Sequence, residues 1–247
     1  MNILLLEEGE REIPAGDRRY HHIRNILKLH EGDTLLTGII DGLVANGTIE
    51  SLTPAAVTLR LDAESSPAPL PPVDIVLGHP RPIVLRRLLR DLTTVGVRSI
   101  VVAPTALGER SYLDSTMWEN VRPFLIDGAE QAGTTRLPQV VRCRSLRQAL
   151  ERAVHDGQLR LALHPIGSPP FSNVLSGEIP PVGIAVAIGS ERGWIPKELA
   201  LLGEAGYLLA DLGQRILKTE TAALVAAWSA VAAWSATYPR RSYAPGG

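Results

Sequence analysis

The chain has 247 residues, 45% of them hydrophobic and 21% charged, which excludes the low-hydrophobicity, high-charge regime of disorder. A net charge of −1 excludes a global field toward nucleic acid or membrane, so any such attraction must come from a local patch. The single cysteine, Cys143, excludes an internal disulfide framework and a cysteine-rich zinc site. The histidines show no ligand spacing, so no metal is expected. With no signal peptide visible, a cytoplasmic setting is expected.

Residues 1–72 carry 6 basic and 11 acidic side chains, whereas residues 73–247 carry 19 and 15. Between them, Pro67, Pro69, Pro71 and Pro72 make a stiff, extended stretch, and the expected domains are 1–72 and 73–247. In the first region a short helix is expected over His21 to Leu29, with Ile23, Ile26, Leu27 and Leu29 as its apolar face. Asp33 to Thr37 and Val44 to Leu52 read as strands around a turn at Asp41-Gly42. Val57 to Leu61 alternates like a strand with one wet face. The sum is a small β-barrel with a helix.

The second region alternates strand and helix. Strands are expected at Val73–Leu77, Ile100–Ala103, Leu159–Leu163, Val182–Ile188 and Tyr207–Ala210. Helices are expected at Ile83–Val95 with Gly96 as the stop, and over Asp114 to Gln131 with a restart at Pro123. Further helices are expected from Ser145 to about His155, from Pro196 to Glu204 and from Lys218 to Thr237. Short apolar strands between helices imply a parallel sheet covered by helices. Thr221 to Pro239 carries no charge but is mostly Ala, Ser and Thr. It reads as a buried or subunit-interface helix rather than a membrane span, with Trp228 and Trp234 in the core or interface rather than stacked on bases.

In such sheets ligands bind beyond the carboxyl ends of strands. Three loops qualify: 164–168, Gly189-Ser190-Glu191-Arg192-Gly193, and 211–217. Dinucleotide, P-loop and nucleophile-elbow fingerprints are absent. The third loop enters the last helix as LGQRILKTETAALVA, which resembles the signature of the 16S ribosomal RNA uracil-N3 methyltransferases of the SPOUT class. AIGSERGWIPKEL, AEQAGTTRLPQV and HHIRNILKLHEGDTL resemble three further stretches of that family, in the same order.

The resemblance implies an α/β protein: a PUA-like β-barrel for RNA, then a SPOUT domain with a parallel sheet and a deep trefoil knot, acting as a homodimer on 16S ribosomal RNA or the small subunit. It implies S-adenosyl-L-methionine as cofactor. The cofactor contacts it implies are Leu163 and His164, then Gly189, Glu191 and Gly193, then Leu212, Gly213, Ile216, Leu217 and Thr219. Uracil N3 carries a proton that must leave, so a base or an anion-stabilising group is needed. Arg215 is the candidate for holding a phosphate or the uracil anion, with an ion pair to Glu220 or Asp211 as the alternative. Glu191 is either a base or the cap of the following helix, and Glu220 is the remaining catalytic candidate. Arg18, Arg19, His22, Arg24 and Lys28 form a local basic cluster for RNA or a solvated face, and Arg110 and Arg136 are further RNA candidates.

The sequence departs from the family pattern in several places. Ser190 and Arg192 replace the usual Pro and Gly, and a positive φ at Arg192 would be strained. Thr94 replaces a glutamate, and Arg81 to Arg90 is unusually rich in arginine. These departures leave open a non-catalytic RNA-binding or ribosome-assembly protein on the same scaffold, or a methyltransferase with another RNA acceptor.

Overall fold

The computed structural model describes residues 1–165 and 167–238. They fall into two compact units, one made of 1–69 with 125–137, the other of 70–124 with 138 onward. The division thus falls between Pro69 and Leu70, and the second unit is interrupted where a single run from residue 73 was expected.

The first unit holds β1 (Leu4–Leu6), β2 (Glu12–Pro14), α1 (Arg18–His21), β3 (Thr34–Ile39), β4 (Val44–Leu52) and β5 (Ala56–Ser65). The sheet order is β1-β3-β4-β5-β2. Only β1 and β3 run parallel; the other pairs are antiparallel. Asp41, at the β3–β4 turn, takes a left-handed φ of 56°. One side of the sheet buries Leu4, Leu6, Ile49, Val57 and Leu59 against Tyr20 and Ile23.

Helix α1 starts on Asp17, whose carboxylate accepts from the Arg19 amide, and then loosens into a π-helical turn over His22–Leu27. The wider turn breaks the expected apolar face. Ile23 is buried, but Ile26 is 61% exposed and Leu27 is also exposed. A π turn places i and i+5 in register, so the helical spacing that grouped Ile23, Ile26 and Leu27 no longer holds.

Residues 125–137 join this unit through close contacts. Ala129 packs on Ile3 and Leu5, and the Asn2 amide donates to the Glu130 carbonyl at 2.8 Å. The Thr135 hydroxyl donates to the Gly42 carbonyl at 2.8 Å. Gly38 is required here, because a Cβ on it would lie 2.2 Å from Thr135 Cγ2.

The second unit contains β6 (Val73–Gly78), α2 (Pro82–Val95), β7 (Ser99–Ala103), α3 (Arg122–Ala132, which continues into the first unit) and β8 (Gln139–Arg142). It continues with α4 (Leu146–Ala153), β9 (Leu159–Leu163), α5 (Phe171–Leu175), β10 (Ile184–Ile188), α6 (Pro196–Glu204), β11 (Leu208–Ala210) and α7 (Thr219–Thr237). The six strands form one parallel sheet in the order β11-β9-β10-β6-β7-β8.

Val76, Val101, Ala185 and Ala187 pack with Leu146, Leu150 and Leu202 of α4 and α6. Their strand neighbours Ile75, Leu77, Ile100 and Val186 point to the opposite face and are equally buried. Burial on both faces is why these strands read as largely apolar runs, broken in β6 by the buried Asp74. Helix α2 ends where expected, on Gly96 at φ 91°. Only 3₁₀ turns, Arg110–Asp114 and Thr116–Glu119, precede α3 where a longer helix was expected. Among the described residues no helix is long and apolar enough to cross a membrane; Pro239 lies outside them.

Candidate functional site

The three loops leave the carboxyl ends of β9, β10 and β11, which are neighbours in the sheet, and enclose a cavity of about 290 Å³. The first contributes Leu163, His164 and Pro165; its Ile166 lies outside the described residues. The second contributes Gly189, Ser190, Glu191, Arg192 and Gly193. From the third come Asp211, Leu212, Gly213, Arg215, Ile216 and Leu217, with Thr219 from the start of α7. Every residue named above as a cofactor contact therefore borders this one cavity. Ile216, 88% exposed, offers an apolar side chain with no protein covering it.

Backbone geometry explains the glycines. Gly193 sits at φ 72° and its amide donates back to the Ser190 carbonyl at 2.9 Å, closing a tight turn. From the neighbouring strand, Gly78 comes so near that a Cβ there would lie 2.5 Å from the Ser190 nitrogen. Ser190 itself is buried, and Thr105 Oγ1 lies 2.9 Å from its hydroxyl as donor, so the serine fits where proline is usual. Arg192 is not among the residues with positive φ, so the strain considered for it does not arise.

The candidate catalytic residues separate. Glu191 does not cap the following helix. Glu198 does so, accepting from the Ile195 amide at 3.0 Å and the Ala106 amide at 2.7 Å. Glu191 Oε1 instead accepts from the Arg81 amide at 3.0 Å. Asp211 is engaged by the Gly213 amide at 2.8 Å, in a turn that Gly213 enters at φ 108°. Arg215 is exposed, lines the cavity and makes no ion pair among the described residues, so neither expected carboxylate holds it. Glu220 is half-buried in the first turn of α7, next to the cavity-lining Thr219.

The expected RNA cluster is largely engaged internally. Arg19 donates to both carboxylates of Glu10 and Asp17 and to the Leu5 carbonyl. Burial opposes its charge, but the two carboxylates outweigh that and raise its pKa. Arg18 reaches Glu130 at 2.8 Å and Asp127 at 3.5 Å. Arg24 lies over the Tyr20 ring. His22 is half-buried, and burial lowers its pKa. Lys28 is exposed, at φ 54° where the π turn ends. Arg136 donates to the Asp41 carbonyl at 2.8 Å, and Arg110 is exposed. Trp228 is 62% exposed and so not a core residue, because α7 buries Ala223, Ala226, Ala227 and Ala230 instead. Trp234 packs on Tyr238 with ring centroids 5.2 Å apart.

One cluster escaped the sequence reading. His79, at the carboxyl end of β6, is buried. Its Nδ1 lies 2.7 Å from the Pro80 carbonyl, and the Trp118 indole donates to its Nε2 at 3.1 Å. These partners select the neutral tautomer with the proton on Nδ1, and burial lowers the imidazole pKa in the same direction. The Arg142 guanidinium lies 5.5 Å from the Trp118 ring centroid. The rule that selected the three loops, residues just beyond a strand's carboxyl end, also picks out His79.

A family model described as an RNA methyltransferase domain matches residues 66–231. The ribosomal RNA small subunit methyltransferase E of Treponema pallidum is 37% identical, with 97% of this chain and 95% of that protein covered. Ribosomal RNA small subunit methyltransferase E 1 of Borreliella burgdorferi is 27% identical over 92% of this chain and 95% of its own length. Among solved structures, the Neisseria gonorrhoeae ribosomal RNA small subunit methyltransferase E bound to S-adenosyl methionine superposes with a TM-score of 0.73. It is 21% identical, and 96% of this chain and 98% of that one are covered. A probable rRNA-methyltransferase from Porphyromonas gingivalis reaches 0.78 at 20% identity, with 96% and 100% covered.

Proposed function

The chain belongs to the RNA methyltransferase domain family, and from that premise we propose that its three-loop cavity is the site where a uracil N3 of 16S ribosomal RNA is methylated. The protein is an S-adenosyl-L-methionine-dependent ribosomal RNA methyltransferase. The observation that carries the site is the convergence of three separate loops on one cavity with apolar walls, backbone turns built on glycine and an uncovered Ile216.

Those features fit the cofactor. Leu163, Leu212, Ile216 and Leu217 offer apolar surface to an adenosine, and the carboxylates of Glu191 and Asp211 border the same space as its cationic sulfonium. When bound, S-adenosyl-L-methionine supplies an electrophilic methyl group. The protein's part is to hold the base in line and manage its proton. Arg215, unpaired and on the cavity wall, binds the uracil as negative charge develops on it. Glu191 uses Oε1 on the Arg81 amide, and its Oε2 accepts the N3 proton as N3 takes the methyl. Because N3 lies on the pairing edge, the uracil enters unpaired.

The same reading makes the first unit a PUA-like RNA-binding barrel and threads 211–218 into a deep trefoil knot. It pairs two copies through α7, where Trp228 and Val225 are exposed. Nucleoside mass analysis of ribosomal RNA from cells with and without the gene tests the reaction. The expected result is loss of 3-methyluridine on deletion, restored by wild type. Arg215→Ala is expected to lower kcat by about 10²–10³-fold. Unchanged 3-methyluridine would turn the reading to a different acceptor or a silent RNA-binding protein.

A further inference from the structure

The arginines of α2 lie on one face of a fourteen-residue helix. Arg86, Arg87 and Arg90 are exposed, whereas Leu85, Leu88, Leu89 and Leu92 are buried. At 3.6 residues per turn the three arginines share an arc of about 100° with Ile83 and Thr94. No carboxylate falls on that arc; Asp91 flanks it. Arg86 is steadied by an aromatic face rather than an acid, with its guanidinium 5.9 Å from the Phe124 ring centroid. Arg81 precedes the helix, and its amide is the group that Glu191 accepts. Arg81 itself falls on the other side of the helix, so the stripe proper runs from Arg86 to Arg90, about 6 Å along the axis, and starts about 8 Å along it from the residue whose amide Glu191 accepts.

We propose that this face of α2 holds the phosphate backbone of the RNA strand leading into the cavity. The inference rests on the RNA methyltransferase reading and adds to it a surface that none of the motif resemblances covers. Arginine suits the task because its flat fork meets phosphate oxygens in pairs and keeps its charge at any working pH. A run of such groups along one helix is the electrostatic footprint of a nucleic-acid surface. It also places RNA attraction in a chain whose total charge supplies none.

The test uses the full chain and unmodified 16S ribosomal RNA made by transcription, with affinity measured across a potassium chloride series. Arg86→Gln/Arg87→Gln/Arg90→Gln is compared with wild type and with Arg144→Gln/Arg147→Gln/Arg152→Gln, a charge-matched change on α4 and its flank. Each lost phosphate contact on a single strand lowers the salt slope by about 0.7. The α2 variant is expected to bind at least about tenfold more weakly with a slope smaller by about 2. Its S-adenosyl-L-methionine affinity by calorimetry should match wild type, and the α4 variant should match wild type throughout. Equal affinity and slope for the α2 variant, with methyl transfer intact, would overturn the stripe and leave the enzyme reading standing. A changed mass in sedimentation would also overturn it, making this face a contact between copies. Failure of wild type to bind or methylate both this RNA and small subunits lacking the methyl group would remove the parent reading itself.

Discussion

The loop at 189–193 and the segment at 17–28 both carry candidate ligand contacts, yet the fold treats their polar groups in opposite ways. In the loop, glycines bring backbone together while Glu191 and Arg192 stay exposed on a cavity wall. In the N-terminal segment, Arg19 turns inward onto Glu10 and Asp17, and the exposed Arg18 pairs with Glu130 and Asp127. A motif that works through backbone shape carries its meaning locally. A charge has meaning only once its partners are known, because a nearby carboxylate satisfies it as well as a phosphate would.

The sharpest way to break this contrast is Gly78→Ala. The added methyl would meet the Ser190 backbone, which has no flexible end to move aside. Overpacking at that turn is expected to cost about 3 kcal/mol in urea unfolding and, by displacing the loop backbone, to weaken S-adenosyl-L-methionine binding in calorimetry.

Arg19→Ala comes next, and its expected effect is on stability. Removing the shared cation from two partly buried carboxylates is expected to cost about 2 kcal/mol in urea unfolding, with the RNA salt slope unchanged. It should also alter the acid limb of stability. Asp17 is lowered by its hydrogen bond from Arg19. In Glu10, burial pushes upward but the Arg19 hydrogen bond and other contacts prevail and lower it. Depressed carboxylates contribute stability that is full above their ordinary values of 3.8 and 4.5 and is lost as pH falls through the lowered ones. Wild type should therefore lose stability steeply below about pH 4, and Arg19→Ala much less so. A variant that unfolds like wild type but binds RNA with a shallower salt slope would reverse the assignment.

The smallest effect is expected for Arg192→Gly, which restores the usual family residue. Arg192 is exposed and lacks a positive φ, so cofactor affinity should change by less than about threefold. A larger change would show that its side chain contributes directly to the cavity.

Much of the second unit was readable because its signals are short-range. Pro196 opens α6 and Gly96 closes α2 through φ preferences of single residues, and the apolar runs of β7 and β10 record burial on two faces. Helix α5 and strands β1, β2 and β8 were missed, being elements of three to five residues with too few positions to show a period. The three loops could be named because each follows a strand. His79 was passed over as a solitary histidine, although Trp118, 39 residues away, and the carbonyl beside it fix its proton.

By itself, the sequence determined the alternation of strand and helix and the loops that follow the strands, which rest on preferences of near neighbours along the chain, and from that alternation the parallel class of the sheet. The tertiary structure alone decided which arginines remain available. Arg18 finds Glu130 across 112 residues, because 125–137 folds into the first unit, whereas Arg86 lies exposed over the Phe124 ring and, among the described residues, makes no ion pair. The physical reason is range: backbone preference acts over a few residues, but desolvation and ion pairing depend on whatever the fold brings within a few ångströms.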